Sequence, residues 1–179
     1  KMMMKKQGMK EWNWLTKAVI LTLLLGLPSI MATPTYAAAV TDTTEKGGVA
    51  VNLTDDTKKA NASGDGSVAA GEGAQSDGSY SVAVGKGSTA NTESSIALGN
   101  GAQVEKSKNV TDHGGNSIAI GTDSKAGLYG SNNIAIGTSS KAQQAGSISI
   151  GNLSSAAGST AVAIGDSAKT SGENSIALG

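Results

Sequence analysis

The sequence contains no cysteine, no arginine and no phenylalanine. The first absence excludes disulfides, thiolate-ligated metals and thiol nucleophiles. The second argues against a nucleic-acid partner, and so does the charge balance. Beyond Ala39, nine lysines stand against thirteen acidic residues, with no arginine-bearing basic patch among them. Aromatic residues are almost missing too. Both tryptophans (Trp12, Trp14) and every methionine lie before residue 40, and only Tyr80 and Tyr129 follow Ala39. Large side chains supply most of the buried area of an ordinary globular core, so residues 40–179 cannot build a core of that kind. What remains is short clusters of Val, Ile and Leu in a background of Gly, Ser, Ala, Thr and Asn. Scattered, such residues would read as disorder. They are not scattered.

The N-terminus differs from everything after it. Residues 1–17 carry five lysines (Lys1, Lys5, Lys6, Lys10, Lys17), and Ala18–Leu27 is an apolar run of ten residues followed by Pro28 and small residues up to Ala39. Charged, apolar and small-residue zones in that order are the signature of a secretory signal peptide. Even extended to Ala32 the apolar stretch is short of the roughly 20 residues that span a bilayer, and Pro28 interrupts it. Residues 1–39 are therefore read as a leader, helical or removed, with cleavage after Ala37 or Ala39, both preceded by small residues at the right spacing.

A repeat dominates the remainder. Ser81-Val82-Ala83-Val84-Gly85 returns as Ser95-Ile96-Ala97-Leu98-Gly99 and Ser117-Ile118-Ala119-Ile120-Gly121. It continues as Asn133-Ile134-Ala135-Ile136-Gly137, Ser147-Ile148-Ser149-Ile150-Gly151, Ala161-Val162-Ala163-Ile164-Gly165 and Ser175-Ile176-Ala177-Leu178-Gly179. Ser67-Val68-Ala69-Ala70-Gly71 is a weaker first copy. Successive glycines are 14, 14, 22, 16, 14, 14 and 14 residues apart. The exceptions are an insertion of eight residues, Lys106–His113, and one of two around Leu128-Tyr129-Gly130. Period-two alternation puts the flanking Val, Ile or Leu pair on one face of a strand and the alanine on the other. The glycine suits a bend that a Cβ would obstruct. A second small pair follows each glycine, as in Ser88/Ala90, Ser124/Ala126, Ser140/Ala142 and Ser154/Ala156. Each repeat thus reads as two short strands and two turns, one coil of a parallel β-solenoid that is stable only when stacked.

Two expectations follow about the faces. Val82, Val84, Ile96, Leu98, Ile118, Ile120, Ile134, Ile136, Ile148, Ile150, Val162 and Ile164 should be buried in one stack. The row Ala69, Ala83, Ala97, Ala119, Ala135, Ser149, Ala163, Ala177 should lie on the opposite face, kept small for close approach by another surface or left small by undiverged duplication.

The recurring Ser/Asn-Ile/Val-Ala-Ile/Leu-Gly-x-x-Ser/Ala-x-Ala unit, over roughly residues 63–179, resembles the head repeat of YadA-like trimeric autotransporter adhesins of Gram-negative bacteria. The resemblance implies an all-β fold, a left-handed parallel β-roll with 14-residue coils assembled as a homotrimeric head. It also implies adhesion to extracellular matrix, host cells or other bacteria, display at the cell surface, and an outer-membrane anchor supplied by a C-terminal barrel that this sequence does not contain. On this reading residues 40–62 are a linker or lead-in segment, and 63–179 are head repeats truncated at the C-terminus. The alternative is a secreted structural or ligand-binding β-solenoid of another class.

No catalytic, cofactor-binding or metal-binding residues are expected. The single histidine, His113, sits beside Asp112 in the longer insertion and reads as a solvated loop residue, because left-handed β-helix acyltransferases use a hexapeptide period that does not divide 14. Calcium-binding β-solenoids need Gly-Gly-x-Gly-x-Asp at period nine, and Asp77, Asp123 and Asp166 do not recur that way. Gly71-x-Gly73, Gly85-x-Gly87 and Gly99-x-Gly101 complete no phosphate-loop motif and read as turn glycines. Asn52, Asn61, Asn109 and Asn152 open Asn-x-Ser/Thr triplets of the kind a polar sequence contains by chance. Tyr129, in the shorter insertion, is either a contact aromatic or a cover for a coil edge.

Overall fold

The computed structural model describes residues 39–42, 47–52, 58–106 and 115–179. The leader up to Ala38, with its expected cleavage sites, and the His113/Asp112 pair lie outside the described residues. Everything described is strand and turn.

The chain winds as a two-sheet solenoid. Each coil contributes a three-residue long strand, such as Val82–Val84 or Ile118–Ile120, and a two-residue short strand, such as Thr89–Ala90 or Lys125–Ala126. The long strands stack into one sheet and the short strands into another. Both stacks are parallel, and equivalent repeat positions pair: Ala97 with Ala119, Ala119 with Ala135, Ala126 with Ala142. The register survives both insertions. Leu98 pairs with Ile120, and Val104 with Ala126, across the gap that holds the eight-residue insertion, so the extra residues leave the stack undisturbed.

Residues 40–62 do more than connect. Strand β1 (Ala39–Asp42) pairs antiparallel with β2 (Val49–Asn52), and β2 then pairs in parallel with the strand Val68–Ala70. Strand β3 (Asn61–Ala62) starts the short-strand sheet against Gln75–Ser76. The solenoid therefore begins one coil before the first recognisable Ser-Val-Ala repeat, with the antiparallel β1 covering the first edge.

The expected assignment of faces is inverted. Ala69, Ala83, Ala97, Ala119, Ala135, Ser149 and Ala163 are fully buried, at 0% exposure, and form the interior row of the long-strand sheet. Opposite them stand Ala62, Ser76, Ala90, Val104, Ala126, Ala142 and Ala156 from the short strands, also buried. The paired Val, Ile and Leu side chains share one face as expected, but that face is the outside: most are half-buried, and Val84 and Ile164 are 38% and 39% exposed.

The reason is the width of the coil. Ser76 Oγ and Ser81 Oγ meet inside the turn that joins the two sheets at 2.6 Å, and Ser149 Oγ and Ser154 Oγ inside the opposite turn at 2.7 Å. Packed sheets whose inner faces carry large side chains stand about 10 Å apart, whereas here the two facing rows are alanine and serine but for Val104, and the slot between them is correspondingly narrow. An isoleucine cannot enter such a slot. Val104 is the largest fully buried apolar side chain among the described residues. The interior is thus lined by methyls and hydroxyls, several hydroxyls returning to a nearby turn: Ser81 Oγ donates to the Gly78 carbonyl at 2.6 Å, Ser95 Oγ to that of Thr92 at 2.6 Å, and Ser124 Oγ to that of Gly121 at 3.0 Å.

The repeat glycine meets two demands at once. Gly99 and Gly121 adopt φ of +133° and +121°, a region closed to residues with a Cβ. A Cβ on Gly121 would also stand 2.6 Å from the carbonyl oxygen of Gly137 in the next coil. The glycines stack on one another, and the obstruction expected at the bend is joined by a second one from the neighbouring coil.

Candidate interaction surfaces

With its interior filled by small residues, the solenoid presents two broad sheet faces of opposite character. The outer face of the long-strand sheet carries two parallel rows of apolar side chains. One row runs through Val82, Ile96, Ile118, Ile134, Ile148 and Val162, the other through Val84, Leu98, Ile120, Ile136, Ile150 and Ile164. The in-register pairing of Ile118 with Ile134 and of Ile134 with Ile148 makes each row continuous. At about 4.8 Å per coil the six rungs make a strip roughly 25 Å long. Isolated exposed apolar residues need no explanation, but a contiguous strip marks an interaction surface.

The outer face of the short-strand sheet is polar throughout. Its row reads Asn61, Gln75, Thr89, Gln103, Lys125, Lys141, Ser155, Lys169 from the first coil to the last. The three lysines are exposed and border an open groove together with Asp123 and Leu153. The repeat alignment already contained this row, four residues beyond each glycine; reading the repeats only for apolar residues passed over it.

The singled-out residues are distributed as follows. Tyr129 is 40% exposed, and its backbone N–H donates to the carbonyl of Gln143 at 2.8 Å, which ties the inserted turn to the next coil. Tyr80, 67% exposed, lays its ring beside Gly66. Gly73, Gly87 and Gly101 have φ between +63° and +65° and are turn residues, as their motif context indicates. In later coils the same left-handed position is held by Asp123, Ser139, Leu153 and Ser167. Asn61 and Asn152 donate through Nδ2 to Asp77 and Asp166 on adjacent coils, at 3.3 and 2.8 Å. Among the described residues no three His, Asp or Glu side chains gather as a metal would require.

Asn133 is a buried bridging position that sequence reasoning did not single out. It stands where other coils have serine or alanine, in the 16-residue coil. Its Nδ2 donates to the Gly130 carbonyl at 2.7 Å, and its Oδ1 accepts from Ser147 N at 3.0 Å and Ser147 Oγ at 2.9 Å. The longer side chain fills the space that two extra residues open. The signal was available: the one asparagine in the serine column coincides with the one two-residue insertion.

No individual curated protein matches the chain. The YadA head domain repeat does, over residues 62–88, 76–102, 113–131, 129–154 and 156–179. Those matches tile most of the solenoid, and their period is that of its coils. An adhesin-type, bacterial surface role accompanies that repeat, and enzymatic activity is not typical of it. A 14-residue parallel coil with an alanine interior, a stacked glycine turn and an apolar outer strip therefore has its place among known repeats: the chain belongs to the YadA head domain repeat family.

Proposed function

We propose that this chain is the head of an exported adhesin that works as a homotrimer at the surface of a Gram-negative bacterium, attaching it to extracellular matrix, host cells or other bacteria. The observation that carries the reading is the apolar strip. A solenoid whose interior is complete has no intramolecular use for two rows of Ile, Val and Leu, and burying them would contribute about 25 cal/mol per Å². The surface that brings subunits together is thus this strip. The alanine row, expected to face another surface or to be small only by duplication, is already consumed inside the coil. Cyclic packing around the strip turns three short-strand faces outward and repeats any ligand site three times, so that weak single contacts sum to useful avidity.

Export fits the leader, and β1 favours one of its two cleavage sites. Cutting after Ala37 leaves β1 whole, whereas cutting after Ala39 removes the residue that pairs with Asn52. Mass spectrometry of the exported chain should find Ala38 at the N-terminus; a chain beginning at Val40 would contradict this. Anchoring in the outer membrane would come from a C-terminal barrel beyond this sequence.

The test of assembly is Ile120→Asp with Ile136→Asp. Both side chains are outside the coil, so the variant should keep its β-sheet circular dichroism while losing the trimer in analytical ultracentrifugation. Bacteria displaying it should attach to collagen- or fibronectin-coated surfaces and to cell monolayers far less than those displaying the parent. A variant that stays trimeric would refute assembly through the strip. Parent-displaying bacteria that attach no better than bare ones would refute the adhesin reading.

A further inference from the structure

We infer that the short-strand face of the last four coils is a binding surface for a linear sulfated polysaccharide of the glycosaminoglycan type, held by a ladder of Lys125, Lys141 and Lys169. The inference deepens the adhesin reading and rests on it, naming a ligand class for a face which that reading leaves outward.

The ladder serves nothing in the fold. Lys125 pairs in register with Lys141, and Ser155 stands between Lys141 and Lys169. The first four coils hold Asn61, Gln75, Thr89 and Gln103 at the same position, so the strand does not need lysine there. Like charges placed directly opposite one another in a sheet are destabilising, and Lys125 and Lys141 are adjacent rungs. Among the described residues no carboxylate lies within ion-pair distance of any of the three. Elsewhere the molecule does pair its charge, as in Lys86 with Glu72 at 2.8 Å. Asp166 is engaged by Asn152 at 2.8 Å, and Asp123 and Glu105 line the grooves beside Lys125 and Lys141 without an ion pair to either. The result is a line of three exposed ammonium groups, none of them in an ion pair among the described residues, along one grooved face.

The geometry selects a class of anion. Rungs are about 4.8 Å apart, so the ladder presents charges at one-rung and two-rung intervals along a straight axis. A pyranose unit in an extended polysaccharide advances by about one such rung, so sulfates on successive units can meet successive ammonium groups without bending the chain. Leu153, 53% exposed and lining the same groove, offers an apolar contact for the C–H face of a sugar ring. Single-stranded nucleic acid fits less well: binders of that kind pair cationic grooves with aromatic stacking platforms and often arginine, and this groove has neither.

The experiment uses the full chain recovered from the exported fraction and heparin as the probe. Lys125→Gln, Lys141→Gln and Lys169→Gln together are compared with a charge-matched control, Lys58→Gln, Lys59→Gln and Lys86→Gln, which border the groove beside Gln75 and Thr89 on the first coils. The parent should bind heparin with an affinity that falls with salt, as counterion release requires. The ladder variant should bind about tenfold more weakly, with a shallower salt dependence. The control should bind as the parent does, and lysine-to-arginine changes at the three ladder positions should preserve binding. Circular dichroism and melting confirm that each variant is folded. Undiminished binding by the ladder variant overturns the inference, and so does an equal loss in the control, which would mean attraction by overall charge. Tighter binding to a single-stranded DNA oligomer than to heparin overturns it in favour of nucleic acid. Displayed bacteria that attach equally to cells with and without sulfated surface glycans would overturn the ligand assignment while leaving the adhesin reading intact.

Discussion

The two outer faces of the solenoid share one interior and have opposite surfaces. The long-strand face varies among Val, Ile, Leu and one alanine, always apolar. The short-strand face varies among Asn, Gln, Thr, Ser and Lys, always polar. Between them the interior barely varies. Tolerance is therefore lowest where two sheets touch, intermediate where a side chain need only be apolar, and highest where it meets water. The comparison corrects a common habit of reading, in which the largest apolar residues are assigned to the interior. Where the interior is a slot, size excludes, and the large residues go outside.

The strongest way to break the comparison is to enlarge the interior. Ala119→Leu with Ala135→Leu places two isobutyl groups in the slot between the two small-residue rows. Overpacking costs about 1–3 kcal/mol per site, and two adjacent sites should prevent cooperative folding at room temperature. The same growth outside, Val82→Ile with Val162→Ile, should leave denaturant midpoints within about 0.5 kcal/mol of the parent. Equal destabilisation of the two pairs in urea titrations at fixed protein concentration would mean the interior is not the tighter face.

Next in size is Gly121→Ala. Its φ of +121° and the 2.6 Å approach to the Gly137 carbonyl act together, and strain of this kind costs about 1–3 kcal/mol before any clash is counted. A melting temperature unchanged by this substitution would show that the glycine stack can spread apart freely.

A smaller effect separates two interior serines. Ser81 Oγ bridges Ser76 Oγ and the Gly78 carbonyl, so Ser81→Ala should cost about 1 kcal/mol. Ser140 Oγ is buried without a hydrogen-bond partner, so Ser140→Ala should be neutral or mildly stabilising. Matched losses at both positions would mean that interior hydroxyls matter by volume and not by bonding. The smallest effect belongs to the ladder: Lys141→Gln relieves repulsion from Lys125 and should raise stability by about 0.2–0.5 kcal/mol at low ionic strength, with the gain fading in high salt. A loss in thermal melts would indicate a structural partner for Lys141.

The repeat period, the two strands per coil and the turn glycines were legible in sequence because each depends on local steric rules that recur identically. The sidedness of the alternation was not. Period two states that Ile118 and Ile120 share a face and that Ala119 takes the other; which face is interior depends on the separation of the sheets, a property of the closed coil. A clue was nonetheless present. The second strand also alternates small residues, Ser88 with Ala90 and Ser154 with Ala156, and two small rows can fill only a narrow gap between them. The solenoid's start at β2 was hidden for a different reason, since Gly48-Val49-Ala50-Val51-Asn52 has the alternation without the closing glycine. Of the surfaces, the apolar strip was visible as residues but placed inside, and the lysine row lay unread in the alignment.

Asn133 has a further consequence, for how the chain finds its fold. A rod of interchangeable rungs invites register error: slipping by one whole coil exchanges alanine for alanine and glycine for glycine, so misaligned stacks approach the native one in energy and the landscape is frustrated. One side chain that bonds Gly130 on its own turn and Ser147 on the next coil, in the coil with two extra residues, distinguishes one rung from the rest. It serves as an address, fixing the count from which the neighbouring rungs can align.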